Sequence, residues 1–486
     1  MASLESIRED RLKKLNILQQ AGIDPYPATV YRDLNISQVL TQFVDLETKG
    51  QDLTILGRVM TKRGQGAILF LDLNDGSASI QVLLKADSVE QSLFDLFIDT
   101  VDVGDFIQVT GTLLVTKQGT QTLAVTDWKM ITKSLRSLPD KWHGLKDEEE
   151  RLRRRYLDIL TNDETREIVI KRSLFWQAMR TFLLERGFLE VDTPIIETAP
   201  GGAEAQPFVT HHSALDLEVF LRISPELWLK QLLVAGLPKV FEIGRIFRNE
   251  GMDAEHLQDY TQLEWYLAYA DYKDGMKLTQ EMYRYIAEKT FGTTKFTIKN
   301  FTIDLNSDWE TYDYVATIKD MVGLDVLSAT LPELKAKIDD LNIKYKDSHF
   351  NRNRAVDTLW KFCRKKISGP GFLINVPVFI EPLAKRKPDQ PEIVERFQVI
   401  LAGSEMGKGF SELNDPLDQA RRLKEQAKLR EAGDAEAQMY NADFIEALEY
   451  GMPPACGFGV SERLFSFLMN KPIRETQIFP LLKPKK

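Results

Sequence analysis

From Phe247 to Tyr266 the chain reads FRNEGMDAEHLQDYTQLEWY. Arg248 and Glu250 open this stretch two positions apart, and Glu264 and Tyr266 close it in the same spacing. Residues two apart on a strand share a face. Two antiparallel strands with this pattern would aim an arginine and acids into one cleft, with a polar loop from Gly251 to His256 between them. More charges stand at the ends of strand-like runs: Glu226 in SPELWLK, Glu405 and Glu412 in SEMGKGFSEL, Arg463 in SERL. Arginine grips phosphate or carboxylate with two parallel N–H bonds. Carboxylates take Mg²⁺ or an ammonium group. Singly, each residue reads as a surface or ion-pair residue. As a set they suggest phosphate chemistry done by positioning, without a covalent enzyme intermediate. The sequence carries no Walker-type loop, no GxGxxG after a strand and no readable Ser-His-Asp arrangement.

The elements that must hold these residues are visible as changes of pattern. With 486 residues, 43% of them hydrophobic, the chain has material for two or three domains. A net charge of −9 argues against a generally basic nucleic-acid binder and leaves room for a local patch. Two cysteines, Cys363 and Cys456, fit no metal spacing and cannot staple a fold this large, which suggests a reduced, cytoplasmic setting. The N-terminus is charged throughout, unlike a signal peptide. No apolar run approaches the ~20 residues of a membrane helix.

Residues 4–20 read as an amphipathic helix within an extension spanning 1–48. Residues 49–136 hold five β-rich runs, from LTILGRVM to QTLAVTDWKMI, with a helical SVEQSLFDLFI between the third and fourth. That order is the OB-fold barrel, a frequent single-strand nucleic-acid module. Residues 137–158 read as a charged linker. From 159 to 486 strands and helices mix without a βαβ repeat, which predicts an α+β domain with a mostly antiparallel sheet. It begins with a helix whose Val169, Leu174, Phe175, Met179, Phe182 and Leu183 share a face, stopped by Gly187. FLEVDTPII then turns to strand, with Pro194 barred from a central ladder. EVFLRIS and RFQVILAGSEMGKGF are among the long strands expected, and 315–367 reads as a helical insertion.

These motifs, taken in order, resemble the class II lysyl-tRNA synthetase family of bacteria along almost the whole chain. GFLEVDTPII, FRNEG…YTQLEWY and GFGVSERL resemble the three class II motifs. PGGAEAQPFVTHHSALDLEVFLRISPELWLK, GFSELNDPLDQARR, EPLAKR and LPDKWHGL are similar to stretches of the lysine enzyme. The resemblance implies ATP-dependent activation of L-lysine to an adenylate, with release of pyrophosphate, and transfer to the 3′-end of tRNA(Lys). It implies catalytic roles for Arg248, Glu250 and Arg463, and ATP binding by these with His256 and Tyr260. Lysine would be held by Gly202, Glu226, Arg248, Glu264, Tyr266, Lys408, Phe410 and Glu412. Mg²⁺ would lie at Glu405 and Glu412, with Gln398 where an acid usually helps. Arg63, Phe70 and Gln81 would read the anticodon, Phe70 by stacking, although alternate apolar residues of a barrel usually face its core. A homodimer through the first motif is implied as well.

Four positions depart from the family pattern: Gln398; Lys408 in place of an asparagine; Thr120 in place of an anticodon-reading glutamate; and Val460 where glycine is common. An aspartyl or asparaginyl enzyme shares the barrel-plus-catalytic plan, but should want cations where this chain offers Glu412 and Tyr266. A non-catalytic paralogue that binds RNA or a partner should not need Arg248, Glu250 and Arg463.

Overall fold

The computed structural model describes residues 4–139, 145, 147–251, 253, 255–345, 350–434 and 436–485. Residues 140–144 of the LPDKWHGL signature and 346–349 of the expected insertion lie outside that set. The chain divides into two compact units, Met1–Thr161 and Asn162–Lys486.

In the first unit, five strands close into a barrel: β1 (Leu53–Gln65), β2 (Ile68–Asn74), β3 (Ser79–Lys85), β4 (Phe106–Val115) and β5 (Gln121–Thr132). Their order around it is β1-β2-β3-β5-β4. The helix Gln91–Thr100 connects β3 to β4, as in the OB-fold expected. Alternation sets the inside: on β2, Leu69, Leu71 and Leu73 are buried, while Phe70, Asp72 and Asn74 are only half-buried. Strands β4 and β5 can run close at Gly111, where any side chain would collide with the Ala124 carbonyl. Helix Leu4–Gln20 precedes the barrel and ends before Gly22, which takes the left-handed conformation at φ 77°.

The second unit is built on one eight-stranded sheet. Its strands are β6 (Leu189–Glu190), β7 (Lys239–Phe247), β8 (Asp259–Ala268), β9 (Glu310–Asp313), β10 (Gly371–Ile374), β11 (Arg396–Leu401), β12 (Ser404–Ser411) and β13 (Ala455–Ser461). They lie in the order β9-β10-β11-β12-β13-β8-β7-β6. Only the outermost pairs, β9–β10 and β6–β7, are parallel. Leu263 and Trp265 of β8 join an apolar cluster with Phe175, Met179 and Phe182 of helix Asp163–Leu184 and with Met282 and Tyr283 of helix Tyr272–Phe291. Tyr266 belongs to the opposite cluster, with Leu229 and Leu233 of helix Glu226–Val234 and Phe410 of β12. Three helices, Tyr314–Val322, Leu331–Asp340 and Arg352–Arg364, fill the stretch between β9 and β10.

Five expectations need correction. RFQVILAGSEMGKGF is not one strand but the hairpin β11–β12. It turns at Ala402 and Gly403, both at positive φ (44° and 72°), the backbone a two-residue hairpin turn demands. Arg248 and Glu250 do not sit on a strand, because β7 ends at Phe247. FLEVDTPII forms only two two-residue strands, β6 and Ile196–Glu197, with Pro194 between them. EVFLRIS joins not the large sheet but a small three-stranded one, through Leu217–Leu221. On helix Asp163–Leu184, Phe175, Met179, Phe182 and Leu183 are buried as expected, whereas Val169 is half-buried and Leu174 is exposed.

Candidate active site

A cavity of about 420 Å³ opens on the β8–β13–β12 face of the large sheet. Its floor is set by the period of two. Glu264 and Tyr266 project from β8 on the side opposite Leu263 and Trp265, and the Tyr266 hydroxyl donates to Glu264 Oε2 at 3.0 Å. Glu264 Oε1 accepts from Ser224 Oγ at 2.7 Å and from Gln262 Nε2 at 2.6 Å. Glu226 opens a helix beside it, its own N–H donating to Ser224 Oγ at 3.1 Å. The Ser224 hydroxyl thus ties two acids together.

Lys230 completes this group. One turn along the helix from Glu226, it is wholly buried. Its Nζ donates to Glu226 Oε1 at 2.6 Å and forms an ion pair with Glu412 Oε2 at 2.5 Å. Among the described residues, Glu412 Oε1 has no hydrogen-bond donor. It faces Gly457 of β13, where a Cβ would collide with both that oxygen and the Tyr266 ring. Phe410 lies buried alongside, with Lys230 Nζ 5.3 Å from its ring centre. Gly202 approaches Glu226 in the same way: at φ 84°, it leaves no room for a Cβ beside Glu226 and Ser224.

One buried ammonium faces three buried acids. Burial pushes Glu264 up to about 7, helped by the negative charge of Glu226. Burial also raises Glu226 and Glu412, against the pull of Lys230. Lys230 itself stays protonated: burial works against its charge, but Glu226 and Glu412 outweigh that. The cavity therefore favours further ammonium groups over anions at this end.

The other end is cationic. Arg248 donates to the Ile223 carbonyl at 3.3 Å and lies 5.7 Å from the centre of the Tyr260 ring, which is buried beneath it. The loop is closed by Arg248 N–H to Gln258 O at 2.8 Å and by Gln258 Nε2 to Glu250 O at 3.0 Å. Arg463 heads a short helix after β13, pairs with Glu255 and donates to the Glu405 carbonyl at 3.4 Å. Glu405 Oε1 accepts from Trp360 Nε1 at 2.6 Å. His256 is exposed, its Nδ1 2.8 Å from Asp253 Oδ2.

Most residues singled out in the sequence share this cavity: Gly202, Glu226, Arg248, Glu250, His256, Tyr260, Glu264, Tyr266, Gln398, Glu405, Lys408, Phe410, Glu412 and Arg463 all line it. Four show contacts or spacing that the sequence did not reveal. Lys408, expected among the lysine-binding residues, is paired with Glu381 at 3.1 Å. Gln398, its cross-strand partner, accepts from Arg396, which also lies 3.3 Å from Glu381. Two departures from the family pattern thus belong to one network centred on Glu381. Glu405 and Glu412 stand seven positions apart along one extended run, on the order of 20 Å at ~3.3 Å per residue. Among the described residues, no three His, Cys, Asp or Glu side chains gather as a metal cage. Val460 is accommodated in the core opposite Leu263. Sequence reasoning passed over Ser224, Lys230, Glu255 and Glu381. The Glu226–Lys230 spacing of four on a helix was a usable signal. The others depend on loops meeting in space.

On the barrel, Arg63 and Phe70 are cross-strand partners on β1 and β2, and Asp72 partners Gln81 on β3. Arg63 Nη2 lies 3.3 Å from Asp72 Oδ2, and Thr122 donates to Gln81 Oε1 at 3.0 Å. Phe70 is half-buried on the outward face and is absent from the barrel core. Thr120 is exposed in the β4–β5 turn.

Residues 147–483 match the family described as tRNA synthetases class II (D, K and N), and residues 53–131 match the OB-fold nucleic acid binding domain. The lysine–tRNA ligase of Thermoanaerobacter sp. (strain X514) is 43% identical over 486 residues, covering 99% of this chain and 97% of that one. Those of Thermotoga maritima and Bacillus subtilis (strain 168) are each 41% identical, covering 99% and 98% of this chain and 97% of each relative. The chain belongs to the lysine–tRNA ligase family of class II tRNA synthetases. As a member of that family it is an enzyme, an aminoacyl-tRNA ligase.

Proposed function

We propose that the protein charges tRNA(Lys) with L-lysine. The observation that carries this reading is Glu412: a fully buried carboxylate, paired at one oxygen with Lys230, with the other oxygen unpartnered among the described residues, in the cavity beside Tyr266 and Phe410. The substrate ε-ammonium would donate to Glu412 Oε1 and Tyr266, its stem lying along Phe410. Glu226 and Glu264 would take the α-ammonium near Gly202. Arg248 would hold the substrate carboxylate against the ATP α-phosphate, with Tyr260 under the adenine and Glu250 and His256 around it. Arg463 would hold the outer phosphates. A carboxylate oxygen of lysine forms a bond to the α-phosphorus as the bond to pyrophosphate breaks. The 3′-hydroxyl of the tRNA then attacks the adenylate carbonyl, and AMP leaves. Charge developing on phosphorus is met by the two arginines, so no side-chain nucleophile is needed.

The donor set fits Mg²⁺ brought by phosphates. Mg²⁺ usually takes one or two protein carboxylates, with the rest from phosphate and water. Glu405, whose Oε1 alone is engaged by Trp360, would hold it. Bound there, Mg²⁺ would neutralise phosphate charge. We assign Glu412 to the substrate instead, because Lys230 already holds it, and we assign no metal to Gln398. Lys408, held by Glu381, adds a cation to the cavity wall. We place the enzyme in the cytoplasm. No helix among the described residues is long and apolar enough to cross a membrane.

Three tests follow from this reading. ATP–pyrophosphate exchange should be fast with lysine and negligible with aspartate, asparagine or arginine, and Glu412→Gln should lose most of it. Equal exchange with aspartate would refute the assignment. Phe70→Ala should slow charging of tRNA(Lys) roughly tenfold or more, since stacking is worth ~1–3 kcal/mol per base, while lysine adenylation stays intact. An equal fall in both would make Phe70 a structural residue. Finally, Ile170, Leu174, Leu184, Leu189, Ile195 and Ile196 are all exposed around the first class II motif. Such an apolar set favours a homodimer through this face. Light scattering at micromolar concentration should give twice the 55.7 kDa chain mass; a fully active monomer would contradict it.

A further inference from the structure

Among the described residues, Lys230 makes no hydrogen bond or ion pair with Arg248 or Arg463. Its contacts are two acids and two rings. Nζ sits 2.6 Å from Glu226 Oε1, 2.5 Å from Glu412 Oε2, 5.3 Å from the Phe410 ring centre and 5.9 Å from that of Phe444. Glu226 comes from a helix and Glu412 from the end of β12. No described hydrogen bond joins these two carboxylates directly. Their link is this one nitrogen, which is inaccessible to solvent.

We propose that Lys230 is the positioning residue that sets which side-chain length the site accepts. The inference rests on the lysine reading of the cavity, in which Glu226 and Glu412 meet opposite ends of the substrate. Each acid gives one oxygen to Lys230, and both acids line the cavity. The span between the α- and ε-ammonium subsites is then held by a single buried cation rather than by two independent side chains. Charge points the same way. Glu226, Glu264 and Glu412, when ionised, exceed Lys230 by two negative charges, which equals the two ammonium groups of a diamino acid. A monoamino acid would leave one of them uncompensated. A diamino acid one methylene shorter would balance the charge but fail to reach. Length selection by a fixed span is worth roughly 10–200-fold per methylene in a well-formed pocket.

The experiment is pyrophosphate exchange by full-length Lys230→Arg and Lys230→Met with lysine and with ornithine, which is one methylene shorter. KM for ATP and thermal melting are recorded alongside. In either variant, the lysine KM should rise at least about tenfold, and the preference for lysine over ornithine in kcat/KM should fall by a similar factor. The ATP KM should stay within about twofold. Lys230→Arg keeps the charge but moves the donor atoms. It therefore decides the matter even if Lys230→Met, which strands two buried acids, fails to fold. A lower melting temperature with an unchanged lysine-to-ornithine ratio would overturn the proposal and leave Lys230 a structural ion pair. Failure of the wild-type protein to exchange with lysine would instead overturn the functional reading on which it rests.

Discussion

A single buried ammonium between two buried carboxylates is the constraint around which the catalytic unit is arranged. Burying an ionised acid without a partner is prohibitive in an apolar interior, and removing one member of a buried pair is strongly destabilising. Lys230 lets Glu226 and Glu412 sit buried in the cavity wall. Ser224, Gln262 and Tyr266 do the same for Glu264 with neutral hydrogen bonds. The result is a compact acidic end in a cavity whose other end is lined by Arg248 and Arg463. A zwitterion with a cationic side chain and a triphosphate fit this polarity when laid end to end.

The sheet makes that arrangement possible. Antiparallel strands with a period of two send Leu263 and Trp265 into one core and Glu264 and Tyr266 into the cavity from the same short segment. Glycine on the neighbouring strand is what opens the space, since a methyl group at Gly457 would fill the gap between Glu412 and Tyr266. The loops carry the arginines. Arg248 stands just past β7 and Arg463 just past β13, so the two arginines stand at the margins of the sheet, while Glu264 projects from the strand β8 itself. In phosphoryl-type transfer, where catalysis is mostly placement and charge stabilisation, that division suits the chemistry.

The barrel, the mostly antiparallel sheet and most of the cavity lining could be read from the sequence, because alternation and turn residues encode them locally. The residues that escaped are those whose partners are distant in sequence. Lys230 went unmarked in SPELWLK, and its second partner lies 182 positions away at Glu412. Glu381 was visible in EPLAKR, but only the fold brings it to Lys408 and Arg396, giving the two atypical residues at 398 and 408 a shared neighbour. The β11–β12 turn was missed because AG between two apolar runs lacks the Asn-Gly or Asp-Gly signature of a tight hairpin. Phe70 was ambiguous in sequence, since either face of a barrel strand can carry an aromatic. The burial of Leu69 and Leu71 on either side of it assigns its face.

The central claim is that three buried acids, only partly satisfied by Lys230, receive two ammonium groups from the substrate. Burial pushes Glu264 up to about 7, so this carboxyl is only partly ionised at neutral pH, and it raises Glu226 and Glu412 as well, against the pull of Lys230. Incoming ammonium groups favour the ionised forms and drive protons off. Calorimetric titration of lysine into the protein at pH 7, in two buffers of different ionisation enthalpy, measures this directly. The account predicts an observed enthalpy that varies with buffer in the sense of net proton release. Lysine binding with the same enthalpy in both buffers, and so without proton exchange, would contradict it.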